Sequence, residues 1–439
     1  MSSEHIYDVI GVGFGPANLA LAIAMEEQGF KGSVRFFESK PEASWQQQML
    51  LKGSDIQNNP ARDLVTPRNP RSRYTFLNFL FENDRLYEHL NLGLEFPLRS
   101  EFAQYVQWVA SFFEHQVSYD SAVSDVHYSE EDKLFHIVMV SGEIFKARAA
   151  VVAPGRTPRV PKAFRALDRS RAFHLTEYQS KLNALALKGK LSKVAVVGGS
   201  QSAIEIILDL HARFPELEIH NVQRGLGFRL KDTSQFSEHV YFPSFVDYYF
   251  DSTKEAKSRI NRHLHFTNYS AADADVIKEL YVTMYQDRLA QQERVFIHGF
   301  TEVENAQEIG EKTQLSTREL NRNEASEIAN VDAIVLATGF CDLGSDENAE
   351  RCPGIIASLY PSLKLDDEGV IVIERDYRLL SSDDASMGPL YLNGLCESSH
   401  GYGDAGSFSL LSLRSQEILE SLCRQLDKAS ESTSPLETV

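Results

Sequence analysis

The N-terminal part of the chain alternates between short apolar runs and a helical pattern. Residues 7–12 form an apolar run typical of a buried strand, residues 18–28 follow helical periodicity, and residues 34–38 form a second strand-like run. A strand, a helix and a strand in this order make a βαβ unit, whose two strands are parallel. The pattern therefore predicts a parallel sheet with helices packed against it.

The same pattern starts again in the middle of the chain. Residues 193–197 form a strand-like run, residues 202–214 a helical pattern and residues 218–223 another strand-like run. Two such starts predict two Rossmann-like, dinucleotide-binding units. We therefore expect an α/β protein built from two units of this kind.

Two apolar runs that end in small residues mark the predicted crossings between these units. Residues 149–153 lead into a proline-rich segment that cannot be helical, and residues 333–337 lead into Thr338 and Gly339. We therefore expect a first domain that is split by an inserted second domain. The split domain is expected to comprise residues 1–160 and residues 336–428, the second of which contributes the substrate cleft. The inserted domain is expected at residues 161–335 and includes a small helical substrate region at about 235–300. Residues 429–439 are expected to form a flexible tail.

Composition and charge narrow the class of partner. The chain has 439 residues, of which 43% are apolar and 24% charged, as in ordinary globular proteins. Its formal net charge of −18 disfavours nucleic acid and anionic membranes as partners. We expect a homo-oligomer, a dimer or a tetramer, that acts on a small molecule.

The cysteines and the N-terminal apolar segment indicate the compartment. The four cysteines form no Cys-x-x-Cys pair, and their spacing fits no common zinc pattern, so we predict reduced thiols and no metal site. Residues 6–24 are apolar, but Asp8 and several glycines interrupt them and no basic segment precedes them, unlike a signal peptide. No other stretch approaches the length of a membrane span. We therefore expect a soluble, cytoplasmic protein.

The first glycine turn carries Gly11, Gly13, Gly15 and Pro16 between the first predicted strand and helix. Gly11 permits a tight turn, and Gly13 lets the backbone approach a pyrophosphate at the helix N-terminus. Proline is favoured in a first helical turn. Glu38, after the second strand, can accept hydrogen bonds from a ribose diol. These features predict dinucleotide binding; the alternative is an accidental glycine turn.

The second glycine turn carries Gly198, Ser200, Gln201 and Ser202 between a strand and a helix. Its following strand leads to Arg224 instead of an acid. An arginine at this position suits the 2′-phosphate of NADPH and suits NADH poorly. The alternative is a solvent-facing arginine without a ligand.

Two dinucleotide units in one chain indicate a flavoprotein that a nicotinamide cofactor reduces. The first unit is then the FAD site and the second the NADPH site. Thr338 and Gly339 support this arrangement, because small residues are needed where the backbone lies close to the flavin and to the other domain.

Motifs along nearly the whole chain resemble those of one known family. They include residues 11–20, 63–66, 74–78, 198–203, 268–270 and 399–401. The sequence resembles the flavin-dependent N-hydroxylating monooxygenases, the ornithine and lysine N-monooxygenases of siderophore biosynthesis. The stretches Asn268-Tyr269-Ser270 and Ser399-His400-Gly401 are the most specific, because general two-dinucleotide reductases lack them.

The resemblance implies a reaction and a set of site residues. NADPH reduces FAD, the reduced flavin activates O₂, and a neutral primary amine receives one oxygen atom and becomes a hydroxylamine. Asn268 would lie between the nicotinamide ribose and the substrate amine, and Gln57 would lie beside the flavin ring. Trp45, Met49 and Leu50 would line the flavin pocket.

His400 has two interpretations. The resemblance makes it a candidate cofactor-binding residue, whereas a lone histidine before glycine is also typical of a structural position beside the flavin. Two other functions stay open at this point. A disulfide or ferredoxin reductase would need a redox cysteine pair or a protein-docking patch, and a flavin-binding sensor would not turn over NADPH.

Two departures from the family pattern bear on the substrate. The resemblance implies a lysine and an asparagine that hold the substrate α-carboxylate, but this chain has Arg62 and Glu238 at those positions. A carboxylate that faces a carboxylate is repulsive unless a cation intervenes. We therefore expect a primary amine without an α-carboxylate, such as putrescine, cadaverine or histamine. The alternatives are L-ornithine or L-lysine, which Arg62 would favour, and aspartate.

Overall fold

The computed structural model describes residues 5–189, 191–382, 387–404 and 406–433. Its helices are α1 (Pro16–Glu27), α2 (Phe76–Glu82), α3 (Leu86–Leu92), α4 (Arg99–Ser111), α5 (Tyr178–Lys188), α6 (Gln201–Arg213), α7 (Pro243–Phe250), α8 (Lys254–Asn268), α9 (Ala274–Leu289), α10 (Glu397–His400) and α11 (Leu411–Thr433). Its strands are β1 (Ile6–Val12), β2 (Val34–Phe37), β3 (Val117–Ser118), β4 (Val123–Ser129), β5 (Leu134–Met139), β6 (Ile144–Val152), β7 (Ala172–His174), β8 (Lys193–Val197), β9 (Glu218–Val222), β10 (Val295–His298), β11 (Thr301–Ile309), β12 (Lys312–Glu319), β13 (Glu324–Val331), β14 (Ala333–Leu336), β15 (Arg378–Leu379) and β16 (Leu390–Leu392).

The first sheet combines the two ends of the chain. Its strand order is β15-β16-β6-β1-β2-β3, and the antiparallel strands β5 and β4 continue from β6. The central strand β1 pairs in parallel with β2 and β6. Val9 and Ile10 of β1 are completely buried, and α1 packs against α11 beside this sheet. The apolar run of β1 is therefore the centre of a core covered by helices.

The second sheet is formed by the middle of the chain. Its order is β10-β9-β8-β14-β7, and each pair of neighbouring strands is parallel. Helices α6 and α9 pack together, and Val194 and Val196 of β8 are completely buried. The chain enters this sheet after β6 and leaves it before β15. The predicted α/β class with two Rossmann-like units is confirmed.

The third sheet was not expected from the sequence. Strands β11, β12 and β13 form an antiparallel meander within the inserted segment. Gly310 and Asn323 adopt φ +60° and +55° in the two connections, as tight turns require. Most side chains of β11 and β13 are exposed. Few apolar residues alternate there, and the pattern therefore did not reveal the strands.

A helical region and a long C-terminal helix complete the fold. Helices α7, α8 and α9 lie between β9 and β10, within the segment expected to be helical. Helix α11 continues through residues 429–433, so that part of the expected flexible tail is helical, and residues 434–439 lie outside the described residues. Within the described ranges, no helix has both the length and the apolar character needed to cross a membrane.

Candidate active site

The first glycine turn leaves no room for side chains on its inner face. Gly13 has φ +81°, and a Cβ there would lie 2.4 Å from the carbonyl oxygen of Ala153. A Cβ on Gly11 would lie 2.2 Å from the ring of Phe36. The buried amide of Asn18 donates to the carbonyl oxygen of Gly13 at 2.7 Å. Both positions therefore require glycine.

The outer face of this turn is open. A Cβ on Gly15 would meet no described atom within 4 Å. Pro16 begins α1, and because Gly15 provides no side-chain cap, backbone N–H groups of the first turn are free to bind an anion. Glu38 is 9% exposed, and its carboxylate accepts a hydrogen bond from the backbone N–H of Phe14 at 2.7 Å. The turn fits a pyrophosphate, and Glu38 lies where an adjoining ribose would be bound.

Two buried serine hydroxyls of this unit lack a hydrogen-bond partner among the residues that the structure describes. They are the Oγ atoms of Ser44 and Ser412. Between their segments, the ring of Trp45 packs edge-on against Phe408, with centroids 5.2 Å apart, and against Phe102 at 5.6 Å. Buried hydroxyls normally have partners, and the hydroxyls of a dinucleotide would supply them. The residues present therefore fit FAD.

The predicted flavin-pocket residues Met49 and Leu50 lie where the two units meet. The Met49 side chain is 4% exposed and belongs to the apolar core of the second unit, together with Phe173 and Leu175. The carbonyl oxygen of Leu50 accepts a hydrogen bond from Nε2 of Gln179 at 3.3 Å. This packing between the units was not indicated by the sequence.

The second glycine turn repeats the backbone geometry of the first. Gly198 has φ +143°, and a Cβ there would lie 2.2 Å from the carbonyl oxygen of Ala337. A Cβ on Gly199 would lie 2.5 Å from Oε1 of Gln223. Ser200 is the N-cap of α6, but its side chain accepts no hydrogen bond from the first turn. The Gln201 N–H already donates to the carbonyl oxygen of Ala271 at 3.1 Å, so the N–H groups of the glycine turn itself and of Ser202 are the ones that a phosphate could bind. This turn also fits a pyrophosphate.

A cavity of about 690 Å³ lies beside the second turn. The predicted residues that line it are Gly198, Ser200, Arg224, Thr338 and Gly339. Arg224 is exposed just after β9, and its guanidinium makes no hydrogen bond or ion pair with the residues that the structure describes. A free cation on a cavity wall suits a phosphate group.

Three further arginines line this cavity and were missed by the sequence analysis. Arg159 donates from Nε to the carbonyl oxygen of Thr338 at 2.8 Å. The guanidinium of Arg229 lies 3.7 Å from the ring centroid of Phe266. Arg156 is the third. Arg156 and Arg159 lie close together in the proline-rich crossing. Two arginines so close together in an acidic chain were the feature of the sequence that could have indicated an anion site.

The remaining predicted residues of the second turn lie outside the cavity wall. Oε1 of the buried Gln201 accepts from the backbone N–H of Asp273 at 3.0 Å, and Nε2 of Gln201 donates to Glu205 at 3.2 Å. Ser202 is half-buried on α6. Gln201 therefore connects α6 to the start of α9.

The predicted substrate residues come together at one place. Nη1 of Arg62 lies 3.2 Å from Oε2 of Glu238, and the guanidinium lies 5.5 Å from the ring centroid of Tyr241. The Tyr241 hydroxyl donates to Oδ1 of Asn268 at 3.2 Å. Asn268 is the last residue of α8, so this helix ends at the group. Tyr241 was not predicted, and it links the charged pair to Asn268.

Gln57 lies on a strained loop that contacts the second unit. It has φ +52°, its backbone N–H donates to Oδ1 of Asp55 at 2.8 Å, and its Nε2 donates to Oδ2 of Asp273 at 2.6 Å. Burial raises the pKa of Asp55 to about 6; the hydrogen bond from the Gln57 N–H and the charge of Arg99 oppose this shift, and the carboxylates of Asp273 and Glu205 contribute to it. Gln57 therefore bridges the two units at an acidic cluster.

A polar cluster around the buried Glu397 lines the cavity. The Tyr269 hydroxyl donates to Glu397, and Nη2 of Arg156 lies 2.7 Å from Oδ1 of Asp342. Burial raises the pKa of Glu397 to about 7, with Asp342 raising it and the Tyr269 hydrogen bond and Arg156 opposing. None of these four residues was predicted as a site residue, although Tyr269 follows Asn268 directly.

His400 lies in packed protein and not on the cavity wall. Its ring is completely buried, stacks on Tyr377 with centroids 4.1 Å apart, and lies 5.1 Å from Phe250. Nδ1 contacts Ser399 at 2.8 Å, and Nε2 contacts the carbonyl oxygen of Arg375 at 3.2 Å. Burial lowers the pKa of His400 to about 4, so the ring is neutral. These contacts support the structural interpretation over cofactor binding.

The fold and the site define a protein with two dinucleotide-binding units and a polar cleft beside them. The chain belongs to the L-lysine 6-monooxygenase/L-ornithine 5-monooxygenase family, whose model matches residues 5–342. Among the residues that the structure describes, no group of three or more His, Cys, Asp or Glu side chains is arranged to hold a metal ion.

Individual relatives match over almost their whole length. L-ornithine N(5)-monooxygenase of Pseudomonas aeruginosa is 34% identical over 96% of this chain and 94% of its own. The structure of Kutzneria sp. 744 ornithine N-hydroxylase with reduced FAD, NADP⁺ and L-ornithine has a TM-score of 0.87 at 34% identity, covering 96% of this chain and 99% of that one. L-lysine 6-monooxygenase from Pseudomonas syringae has a TM-score of 0.84 at 31% identity, covering 95% and 99%. The resemblance stated from the motifs is confirmed.

Proposed function

We propose that this chain is an FAD- and NADPH-dependent N-hydroxylase that supplies a hydroxylamine for siderophore biosynthesis. Overall, a primary amine, O₂, NADPH and a proton give the hydroxylamine, NADP⁺ and water. The observation that carries the proposal is the meeting of Arg62, Glu238, Tyr241 and Asn268 in a chain with two dinucleotide turns. Asn268 directly precedes Tyr269 and Ser270, which line the cavity at the second turn. The relatives, named as ornithine and lysine hydroxylases, support the same reaction.

Asn268 is suited to orient an amine. Its Oδ1 accepts one hydrogen bond, from Tyr241, which leaves one oxygen lone pair and two N–H donors for ligands. FAD, when bound, supplies the redox chemistry that activates O₂. The protein must then hold an uncharged amine in line and exclude water. The Asn268 amide can hold the amine by hydrogen bonds without competing for its proton.

L-ornithine is the first substrate candidate. The relatives favour this alternative over the decarboxylated amine that the sequence analysis placed first. Arg62 uses Nη1 for Glu238 and Asn58, and no described residue accepts a hydrogen bond from its Nε or Nη2. A substrate α-carboxylate can bind that free edge of the guanidinium. The Arg62 side chain is 29% exposed, so the edge is accessible.

A decarboxylated amine is the second candidate, because Glu238 already neutralises Arg62. The 3.2 Å pair reduces the positive potential that a carboxylate would meet. Glu238 is 25% exposed and can instead attract the second ammonium of a diamine or the imidazole of histamine. Aspartate is a weaker fit, because two carboxylates would have to share one arginine.

An amine panel tests the reaction and the substrate together. Purified protein loaded with FAD is given NADPH and L-ornithine, L-lysine, putrescine, cadaverine, histamine or L-aspartate. NADPH oxidation and hydroxylamine formation are both measured, since oxidation without hydroxylamine means release of peroxide. We expect coupled hydroxylation of L-ornithine. Failure with every amine, despite FAD binding, would reject the proposed function.

Glu238→Gln distinguishes the two substrate candidates. If L-ornithine is the substrate, the variant frees Arg62 and should leave kcat/KM unchanged or raise it. If a diamine or histamine is the substrate, loss of the carboxylate should lower kcat/KM about tenfold, because a charge-assisted hydrogen bond contributes about 1.5–3 kcal/mol. Glu255→Gln, at the exposed start of α8, is the matched control. Equal losses with all amines would give Glu238 a folding role instead.

A further inference from the structure

Arg99 is a nearly buried arginine with a complete set of protein partners. It is the first residue of α4, and its side chain is 7% exposed. Nη1 and Nη2 donate to the two carboxylate oxygens of Glu205 at 2.8 and 2.9 Å. The same guanidinium donates from Nη1 to the carbonyl oxygen of Met49 at 2.9 Å and from Nε to that of Asp55 at 3.1 Å.

These partners belong to both dinucleotide units. Met49 and Asp55 lie in the loop that ends at Gln57, the residue proposed to lie beside the flavin. Glu205 lies on α6, the helix whose N-terminus forms the second glycine turn. Arg99 therefore joins the flavin-side loop to the nicotinamide-side helix through one planar group. Because the planar guanidinium forms a fork that donates in several fixed directions, it fixes the orientation of the loop relative to the helix as well as their distance.

A second route connects the same two elements. Glu205 accepts from Nε2 of Gln201 at 3.2 Å, and Oε1 of Gln201 accepts from the backbone N–H of Asp273 at 3.0 Å. Oδ2 of Asp273 accepts from Nε2 of Gln57 at 2.6 Å. The hydrogen bonds thus form a closed ring from the loop through Arg99, Glu205, Gln201 and Asp273 back to Gln57. A closed ring resists both sliding and rotation of one unit against the other.

Stability alone does not account for this pair. A buried ion pair loses hydration on folding, and its replacement by apolar residues of similar volume is often neutral or stabilising. The Glu205 side chain is 5% exposed, so the pair carries this cost. A geometric gain would offset this cost, because hydride transfer requires a fixed approach of the two cofactors.

We propose that Arg99 is a positioning residue for N-hydroxylation, which sets the separation between the loop at residues 49–57 and helix α6. This inference rests on the proposed function, since it concerns the approach of the nicotinamide to the flavin. It predicts that the pair matters more for NADPH-driven flavin reduction than for folding or for flavin binding.

Two variants test the inference. Arg99→Lys keeps the charge but cannot form the fork, and the double variant Arg99→Met with Glu205→Met keeps a filled, uncharged interface. Glu27→Gln is the control, because it weakens a similarly buried pair, Arg68 with Glu27 at 2.5 Å, inside the first unit. The measurements are visible circular dichroism of the flavin, NADP⁺ affinity by calorimetry, anaerobic reduction by NADPH and by dithionite, and hydroxylamine formed per NADPH.

We expect both variants to bind FAD and to be reduced by dithionite as the unchanged protein is. Reduction by NADPH should fall about 10- to 100-fold, since a misplacement of about 1 Å costs about that much. The flavin dichroism in the presence of NADP⁺ should change, and less hydroxylamine should form per NADPH. The control variant should change none of these.

Three outcomes would overturn the inference. The first is an unchanged rate of reduction by NADPH in the lysine and the double variant. The second is an equal loss in the control variant. The third is failure of both variants to fold, which would make the pair structural. If the unchanged protein is reduced by NADPH but hydroxylates no amine, the proposed function fails while the positioning of the cofactors is still measured by the reduction rate.

Discussion

The two glycine turns share one backbone and differ in the charges around them. Gly13 and Gly198 both have positive φ, and a Cβ on either would strike the carbonyl oxygen of an alanine at the end of a neighbouring strand. The first turn is followed by Glu38, which is nearly buried and already accepts backbone hydrogen bonds. The second is followed by Arg224, which is exposed and without a described partner. The backbone of both turns thus fits a dinucleotide, and we propose that the side chain after the next strand distinguishes FAD from NADPH.

The largest expected effect comes from filling the first turn. Gly13→Leu places a side chain where φ is +81° and where the Cβ would lie 2.4 Å from Ala153, so the turn must shift. We expect loss of bound flavin, measured by the ratio of visible to ultraviolet absorbance and by FAD titration. Gly29→Leu is the control, because Gly29 also has positive φ (+69°) but its Cβ would meet nothing within 4 Å among the described atoms. Full flavin content in Gly13→Leu would contradict the assignment.

The equivalent change in the second turn tests whether the two turns bind their cofactors independently. Gly198→Leu should abolish NADPH binding and leave flavin binding intact, because its Cβ would strike the carbonyl oxygen of Ala337 at 2.2 Å and both residues belong to the second unit. Calorimetry with NADP⁺ and the flavin absorbance spectrum measure the two effects separately. Loss of both cofactors in each variant would show that the turns do not act independently.

A smaller effect is expected from the cation after the second turn. Arg224→Ala should raise the KM for NADPH about tenfold and leave NADH nearly unchanged, since a charge-assisted phosphate contact contributes about 1.5–3 kcal/mol. Steady-state oxidation of both cofactors measures this. Arg322→Ala, on the exposed turn after β12, is the control. Equal losses with NADH and NADPH would assign Arg224 to folding.

The comparison also shows what the sequence could reveal. Both turns, Glu38 and Arg224 follow from local rules, because strand, glycine and helix are neighbours in the chain. The group of Arg62, Tyr241 and Asn268 depends on contacts between distant segments, and only the family resemblance identified Arg62 and Asn268. Tyr241 was missed, since a tyrosine in an aromatic-rich helical segment looks like core. The cofactor-binding role expected for His400 was likewise inferred from a short motif, whereas its burial against Tyr377 depends on a contact between segments that are distant in the chain.

The smallest expected effect concerns Glu397, an acid on the wall of the cavity beside the second turn. Glu397 receives a hydrogen bond from Tyr269 and is near Arg156 and Asp342. Its pKa of about 7 means that it is neutral at pH 6 and ionised at pH 8. Ionisation adds negative charge to a cavity that must hold phosphates, and NADP⁺ should therefore bind more weakly as pH rises.

Glu397→Gln isolates this contribution from the titration of the nucleotide itself. Calorimetry gives the Kd for NADP⁺ at pH 6 and pH 8 in both proteins. The unchanged protein should lose about threefold more affinity than the variant across this range, since a charge at cavity distance, partly screened by Arg156, costs about 0.6 kcal/mol. Identical pH profiles would mean that Glu397 does not change its charge in this range. A steeper profile in the variant would reverse the sign and show that the carboxylate acts through Arg156, by holding that cation in place for the phosphates.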